Sequence, residues 1–292
     1  MQDVLEAARE LAVKRGIVVT GSEVVGVVPF DAMHQSGRFY LKRMQKSTGI
    51  PVRDLVTTGV QALGLTDVAD FDIDKKVIGM PVQEGALVNL TIADFVDEVS
   101  RDTPAPGGGS IAALAGALGS ALASMVANLS VGKAEFDNQY EALCQLAEKA
   151  QAIKDELVHA VDADTEAFNE VITGMRMAKD TQEQQQLRSE AIQSGYKSAA
   201  KVPLHTAALC REVMDLCQTA ANIGNNAVMS DAGVGALMAY AGVQGAIHNV
   251  RINLPHTKDE AFIDDMKSRL GDLLSESKTL CDAIQKQVEE SF

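Results

Sequence analysis

Asp164 is the residue in this sequence best placed to move a proton. Between residues 157 and 175, Leu157, Val161, Asp164, Phe168, Val171 and Met175 follow alternating steps of four and three, the spacing of one helix face. Five of these six are large and apolar, so the carboxylate falls on a packing seam. A carboxyl held there must pair, accept hydrogen bonds or keep its proton, because burial penalises the charged form. A raised proton affinity is what acid–base work near neutral pH requires. A structural carboxylate that caps or bridges helices fits the same spacing, and the pattern alone leaves both readings open.

A second feature with chemical potential is the run Thr103-Pro104-Ala105-Pro106-Gly107-Gly108-Gly109-Ser110, which leads into a helix. Glycines leave backbone N–H groups open, and a helix start adds positive potential, so the run can cradle an anionic or carbonyl group. It can equally serve as a tight helix–helix corner. It lacks the Gly-Lys-Ser/Thr ending of a nucleotide P-loop and follows a helix, not a strand. Asp155, His159, Asp162 and Glu166 occupy another face of the Asp164 helix and read as a solvated, charge-mixed surface, not as metal ligands. Gly224-Asn225 and Ser230-Asp231 read as a polar turn with a helix cap. His248 shares a seam with Val234, Met238, Ala241, Gly245 and Ile252, which predicts a core histidine. Cys210 and Cys217, seven apart, predict buried thiols, and the four cysteines suggest neither a disulfide framework nor a metal site.

The elements that position these residues are helical. Apolar residues make up 46% of the chain but aromatics only 4%, with no Trp, a balance that favours closely packed helices over sheets. Thr91, with Asp94 at the third position, caps a helix to about Ser100. A helix to about Ser130 carries Ile111, Leu114, Leu118, Leu122, Met125 and Leu129. It also carries a ridge of small residues, Ala112, Gly116, Ser120 and Ser124, which predicts a central helix. Further helices are expected at about 134–173, at 181–220 with a bend or break at Pro203, and from a Ser230 or Asp231 cap to about Asn253. Thr257 and Glu260 form a capping box for a last helix to about Glu290. The fold class is therefore mainly α, an up-and-down bundle of long helices.

Between Asp102 and Lys133 no residue is charged, yet the stretch is too rich in Ala, Gly and Ser to favour hydrocarbon, and no membrane span is expected. The formal charge of −14, from 40 acidic and 26 basic residues, argues against duplex nucleic acid as a partner. Met1-Gln2-Asp3 opens without an apolar signal segment, so a cytoplasmic location is expected.

The first ~80 residues differ. Short strands are expected at Ile17–Thr20, Val24–Val28 and Lys76–Gly79, with helices at about 31–44 and 52–63, the latter introduced by Pro51. Few short strands make no stable sheet alone, so residues 1–85 are expected to be the C-terminal part of a larger α/β domain, and 90–292 the helical domain.

Taken in order, these words resemble the formimidoyltransferase-cyclodeaminase family. They are Pro104-Ala105-Pro106-Gly107-Gly108-Gly109-Ser110, Ala121-Leu122-Ala123-Ser124-Met125-Val126, Val131-Gly132-Lys133, Val161-Asp162-Ala163-Asp164 with Glu166-Ala167-Phe168, Val202-Pro203-Leu204, Gly224-Asn225, Ser230-Asp231 and Asn249 to Leu254. Val19-Thr20-Gly21-Ser22-Glu23, Gly26-Val27-Val28-Pro29 and Leu63-Gly64-Leu65 resemble the end of the transferase domain. The resemblance implies conversion of 5-formimidoyl-tetrahydrofolate to 5,10-methenyl-tetrahydrofolate and ammonia. It places the active-site aspartate on Asp164. Substrate contacts are expected from Gly107, Gly108, Gly109, Ser110 and Lys133, joined by Asn225 and Asp231. It implies no prosthetic group, a tetrahydrofolate derivative with its glutamate tail as substrate, and a homodimer or higher homo-oligomer. Two other readings stand beside it: a methenyltetrahydrofolate cyclohydrolase on the same fold, and a non-catalytic helical assembly module. Transferase activity is not expected, because the family's transferase histidine belongs further upstream and His34 is not its counterpart.

Overall fold

The computed structural model describes residues 1–292, and nearly all of its regular structure is helical. The N-terminal part runs α1 (Gln2–Val13), β1 (Val28–Pro29), α2 (Phe30–Arg43), α3 (Val52–Ala62), α4 (Ile73–Lys76) and β2 (Val77–Ile78). The two strands pair in parallel, Val28 opposite Val77 and Pro29 opposite Ile78. Met33, Tyr40, Val56, Val60, Leu63 and Leu65 pack with the two valines into a small core. The expected strand at Ile17–Thr20 does not form, and only the end of the 24–28 run pairs. Ile17 and Val18 are exposed, and no third strand is present to take up their backbone groups.

The larger part comprises α5 (Ile92–Val99), α6 (Gly108–Ser130), α7 (Tyr140–Arg176), α8 (Gln182–Ile223), α9 (Met229–Asn253) and α10 (Glu260–Glu289). Helix α6 is central and packs against α7, α8 and α9. Its small ridge makes this possible: Ala112, Gly116, Ser120 and Ser124 are all buried. Backbones approach so closely that a Cβ on Gly119 would stand 2.6 Å from the Gly235 carbonyl oxygen, and one on Gly242 would stand 2.9 Å from that of Ala112. Cys210 and Cys217 fill this interface as free thiols, and burial pushes each up to about 12, which makes them unreactive. Helix α6 is long and apolar enough to cross a membrane, but 67% of its most apolar window is buried among its neighbours.

Four local expectations are corrected. Helix α8 is continuous through Pro203. Proline offers no N–H to the carbonyl of Ala199, and the side-chain amide of Asn253 supplies one instead at 3.0 Å. Asp259, not Thr257, caps α10, accepting from the Phe262 amide at 3.1 Å, which leaves the buried Thr257 hydroxyl without a partner. Helix α9 starts at Met229, one residue before the Ser230–Asp231 pair, after a short turn that Asn225 caps by accepting from the Ala227 amide. His248 is exposed, not core. Its face of α9 points outward, with Val234, Leu237 and Ile252 exposed along that helix as Ile111, Leu118, Met125 and Leu129 are along α6.

The two parts are joined by contacts as well as by chain. The loop Ser47–Gly49 inserts between α6 and α7, where the Gly49 carbonyl accepts from Ser124 Oγ at 3.1 Å and Asn128 Nδ2 at 2.9 Å. Arg38 pairs with Glu148 at 2.8 Å across the same boundary.

Replacing Gly119 by Ala puts a methyl against a backbone carbonyl that no rotamer change can move. The expected cost is about 1–3 kcal/mol, read as a lower urea midpoint at unchanged slope. Gly271→Ala, on α10 with nothing within 4 Å of the new methyl, is the control and should stabilise by about 0.5–1 kcal/mol.

Candidate active site

Asp164 faces the first turn of α6 from α7. The two helices meet there without side chains on one partner: a Cβ on Gly109 would lie 2.0 Å from Asp164 Oδ1 and 2.4 Å from Oδ2. Glycine at 109 is therefore what admits the carboxyl. The adjacent Ser110 is fully buried, and its hydroxyl donates to the Val161 carbonyl at 2.7 Å, one turn before Asp164. That bond fixes the register of α6 on α7. Burial raises the proton affinity of Asp164 above that of an ordinary carboxyl, while the Ser110 backbone amide pulls in the opposite direction. No charged side chain is among the causes of this shift. The group is thus half-buried with its proton affinity raised, and the positive end of α6 lies beside it.

Three carboxylates lie close together on α7, and the structure separates them. Glu166 is exposed. Asp162, read from sequence as part of a solvated face, is instead 6% exposed, with both oxygens engaged by backbone amides: Leu87 N at 2.8 Å and Val88 N at 3.1 Å. The reason is tertiary, since the linker between the two parts folds over this turn. Only Asp164 combines partial burial with an oxygen free for a ligand. The rest of the seam is mixed: Leu157, Val161 and Val171 are buried, but Met175 is exposed near the helix end.

The remaining expected contacts do not gather at this point. Gly107, Gly108, Gly109 and Ser110 form the α6 start, with Gly108 exposed and Gly109 and Ser110 buried. Lys133 lies beyond the other end of α6, roughly 30 Å away at 1.5 Å per helical residue. Asn225 is close to that same end, where its backbone N–H donates to Ser130 Oγ at 2.8 Å and its side chain caps a turn. Asp231 follows in the first turn of α9. Within one chain, then, Lys133, Asn225 and Asp231 are remote from Asp164. Asn225 serves the turn, and Lys133 is an exposed cation.

Asn249 was missed as a site residue. Its side-chain amide lies beside Gly108, 3.0 Å from where a Cβ would be, and donates to the Gly245 carbonyl at 2.8 Å. The signal was present in sequence as Asn249 and Asn253, two amides four residues apart on a helix otherwise poor in polar groups. No group of three or more His, Cys, Asp or Glu side chains is arranged to hold a metal. Beside the site, on the Val161 side, runs an apolar groove of about 390 Å³ between α5, the linker, α6 and α7.

Comparison with known proteins adds three findings. The family profile described as formiminotransferase-cyclodeaminase matches residues 91–272, and that of the formiminotransferase domain matches residues 1–83. The chain is 34% identical over 283 residues to formimidoyltransferase-cyclodeaminase of Mus musculus, an alignment covering 96% of this chain and 52% of that protein. It is 39% identical over 201 residues to methenyltetrahydrofolate cyclohydrolase of Methylorubrum extorquens, covering 69% of this chain and 97% of that one. The chain thus spans about half the length of the bifunctional relatives it matches and nearly all of the shorter one. Among solved structures, formiminotetrahydrofolate cyclodeaminase of Thermotoga maritima superposes with a TM-score of 0.63 at 26% identity, covering 69% of this chain and 97% of that one.

The raised proton affinity of Asp164 has a consequence for stability. A carboxyl whose folded affinity exceeds its unfolded one contributes fully below the unfolded pKa and loses that contribution as pH rises through the folded value. Asp164→Asn, which removes the buried charge, should therefore be more stable than the parent at neutral and alkaline pH. The advantage should shrink as pH falls from the raised folded value toward about 4, the value of an unfolded aspartate, and stay constant below it. Denaturation midpoints across that range check it, and a gap independent of pH would refute the assignment.

Proposed function

The chain belongs to the formiminotransferase-cyclodeaminase family, and from that premise we propose that it is a formimidoyltetrahydrofolate cyclodeaminase. The observation that carries the reading is the half-buried Asp164 carboxyl against a glycine-lined helix start, with no cation to pin it in its ionised form. The reaction needs one group that can both give and take a proton. Neutral Asp164 first protonates the formimidoyl nitrogen, which makes the carbon attached to N5 electrophilic. N10 attacks that carbon, and a new C–N bond closes the ring. The carboxylate then accepts the N10 proton and delivers it to the amine, the old C–N bond breaks, and ammonia leaves. The product is a methenyl cation beside a carboxylate, an arrangement that lowers the energy of the developing charge. Atoms balance with one proton taken from solvent per turnover.

The surroundings suit this chemistry. Holding the N5 substituent and N10 together makes ring closure effectively unimolecular. The open amides at the α6 start offer donors to the substrate, and Asn249 adds a side-chain amide beside Gly108. The tetrahydrofolate derivative is the substrate in this reading, and the proton steps use no prosthetic group. The four buried, unpaired thiols are consistent with a reducing cytoplasm.

A second reading is favoured by a specific observation, the 39% identity to a methenyltetrahydrofolate cyclohydrolase over almost all of that relative. There the same carboxyl would activate water toward the methenyl carbon. We further propose a homodimer built on the exposed apolar residues of α6 and α9. A chain carrying −14 can meet its copy with little repulsion along α6, which carries no charged residue.

Purified protein should convert 5-formimidoyl-tetrahydrofolate with release of ammonia, and Asp164→Asn should lower kcat by about 10²–10⁴ with the fold intact. Rapid consumption of methenyl-tetrahydrofolate with an inert formimidoyl substrate would transfer the conclusion to the cyclohydrolase. Full turnover by Asp164→Asn would remove the residue from the mechanism. Leu118→Asp, in the centre of the exposed α6 surface, should shift the sedimenting mass to that of a monomer, and an unchanged mass would exclude this face as the interface.

A further inference from the structure

The groove beside Asp164 is lined only by apolar residues, and one of its walls is held by a residue that the reaction itself does not use. Its wall includes Leu87 and Val88 from the linker, Phe95 and Val99 from α5, Ile111 from α6 and Val161 from α7. None of the eleven lining residues is polar. Helix α5 buries none of its residues fully, although its apolar side faces this space, so the groove is a gap between packed elements and not a filled core. Val161 of α7 and Ile111 of α6 line it, three residues before Asp164 and two after Gly109, so the groove runs alongside the contact between Asp164 and the start of α6.

The linker wall hangs on Asp162. Its two oxygens accept the consecutive amides of Leu87 and Val88, and it takes part in no ion pair. Gly85 is pressed against the same carboxylate: at φ +154 a Cβ there would lie 2.3 Å from Oδ2. A buried carboxylate that accepts two amides acts as a clamp, because either bond lost leaves a buried polar group unsatisfied. Leu87 is seated by the clamp in a small cluster with Ala113, Ala160 and Val161.

Resting on the folate reading above, we propose that this groove receives the aminobenzoyl ring of the substrate and that Asp162 is a positioning residue that holds its wall. The chemistry of the folate selects which ring enters. The pterin carries amide and amine groups that need hydrogen-bond partners, and no side chain lining the groove can supply one. The aminobenzoyl ring is apolar and is bonded directly to N10. Seated in the groove, it brings N10 toward the contact between Asp164 and Gly109 that the groove runs beside. The volume of about 390 Å³ leaves room for one such ring.

The test pairs kinetics with a binding probe that needs no turnover. Asp162→Asn retains the shape but presents an NH₂ to one of the two amides. It should raise KM about ten-fold with kcat within a factor of two and an unchanged pH profile, since Asp164 is untouched. The protection of the Leu87 and Val88 amides from hydrogen exchange should fall in the same variant. Calorimetry with p-aminobenzoylglutamate should show binding to the parent protein, weakened five-fold or more by Asp162→Asn and by Phe95→Ala. Phe95→Ala keeps the test open if the first variant fails to fold. A fall in kcat at constant KM, or affinity for the probe unaltered in both variants, would overturn the proposal. Loss of the assembled mass in Phe95→Ala with unaltered probe affinity would instead make the groove a subunit contact and also overturn it. Probe binding by a protein inert toward both folates would reject the reaction but keep the groove. Turnover without probe binding would do the reverse.

Discussion

A carboxylate oxygen of Asp164 occupies the space that a side chain on residue 109 would fill. That single exclusion fixes much of the molecule. It requires glycine at 109 and it brings the start of α6 into contact with the middle of α7. It also places an ionisable group where water is scarce but a ligand can still reach. The Ser110–Val161 bond then locks the register, so that the carboxyl cannot slide out of line with the helix start. The proton affinity of the group follows from the same geometry: burial favours the neutral acid, and the nearby amide moderates the effect.

The bundle makes this contact possible by letting α6 approach its neighbours at backbone distance. Glycines 116, 119 and 242 have no room for a Cβ, Gly235 is nearly as tight, and two cysteines fill the remaining space as small apolar groups. A helix surrounded so closely has little side chain to spare for its fourth side, and there it carries its large residues outward. The inversion is instructive. Ile111, Leu118, Met125 and Leu129 look like core residues by type, yet it is the alanines, glycines and serines that are buried, because close approach yields more contacts than long side chains would allow.

Polar groups complete the structure at the places where the backbone cannot satisfy itself. Asn253 takes over the donor that Pro203 lacks, and a 42-residue helix continues through the proline. Asp162 receives two amides from a linker with no regular structure. Ser130 accepts from Asn225 at the far turn, and Gly49 accepts two side-chain bonds where the N-terminal part meets the bundle. Each of these is a contact between segments far apart in the chain, and each answers a definite unsatisfied group.

Local spacing was enough to determine the helices, the small ridge of α6, the Thr91 cap and the partial burial of Asp164, because helix periodicity and capping act over a few residues. The sequence also held the glycine run that admits the carboxyl. Tertiary structure alone decided that Asp162 is buried, that His248 is not, that Asp259 displaces Thr257 as a cap, and that Lys133 is far from Asp164. A period of 3.6 residues states which side chains share a face, but not what covers that face. The covering belongs to a linker, a neighbouring helix or solvent, and only the packed chain brings those together.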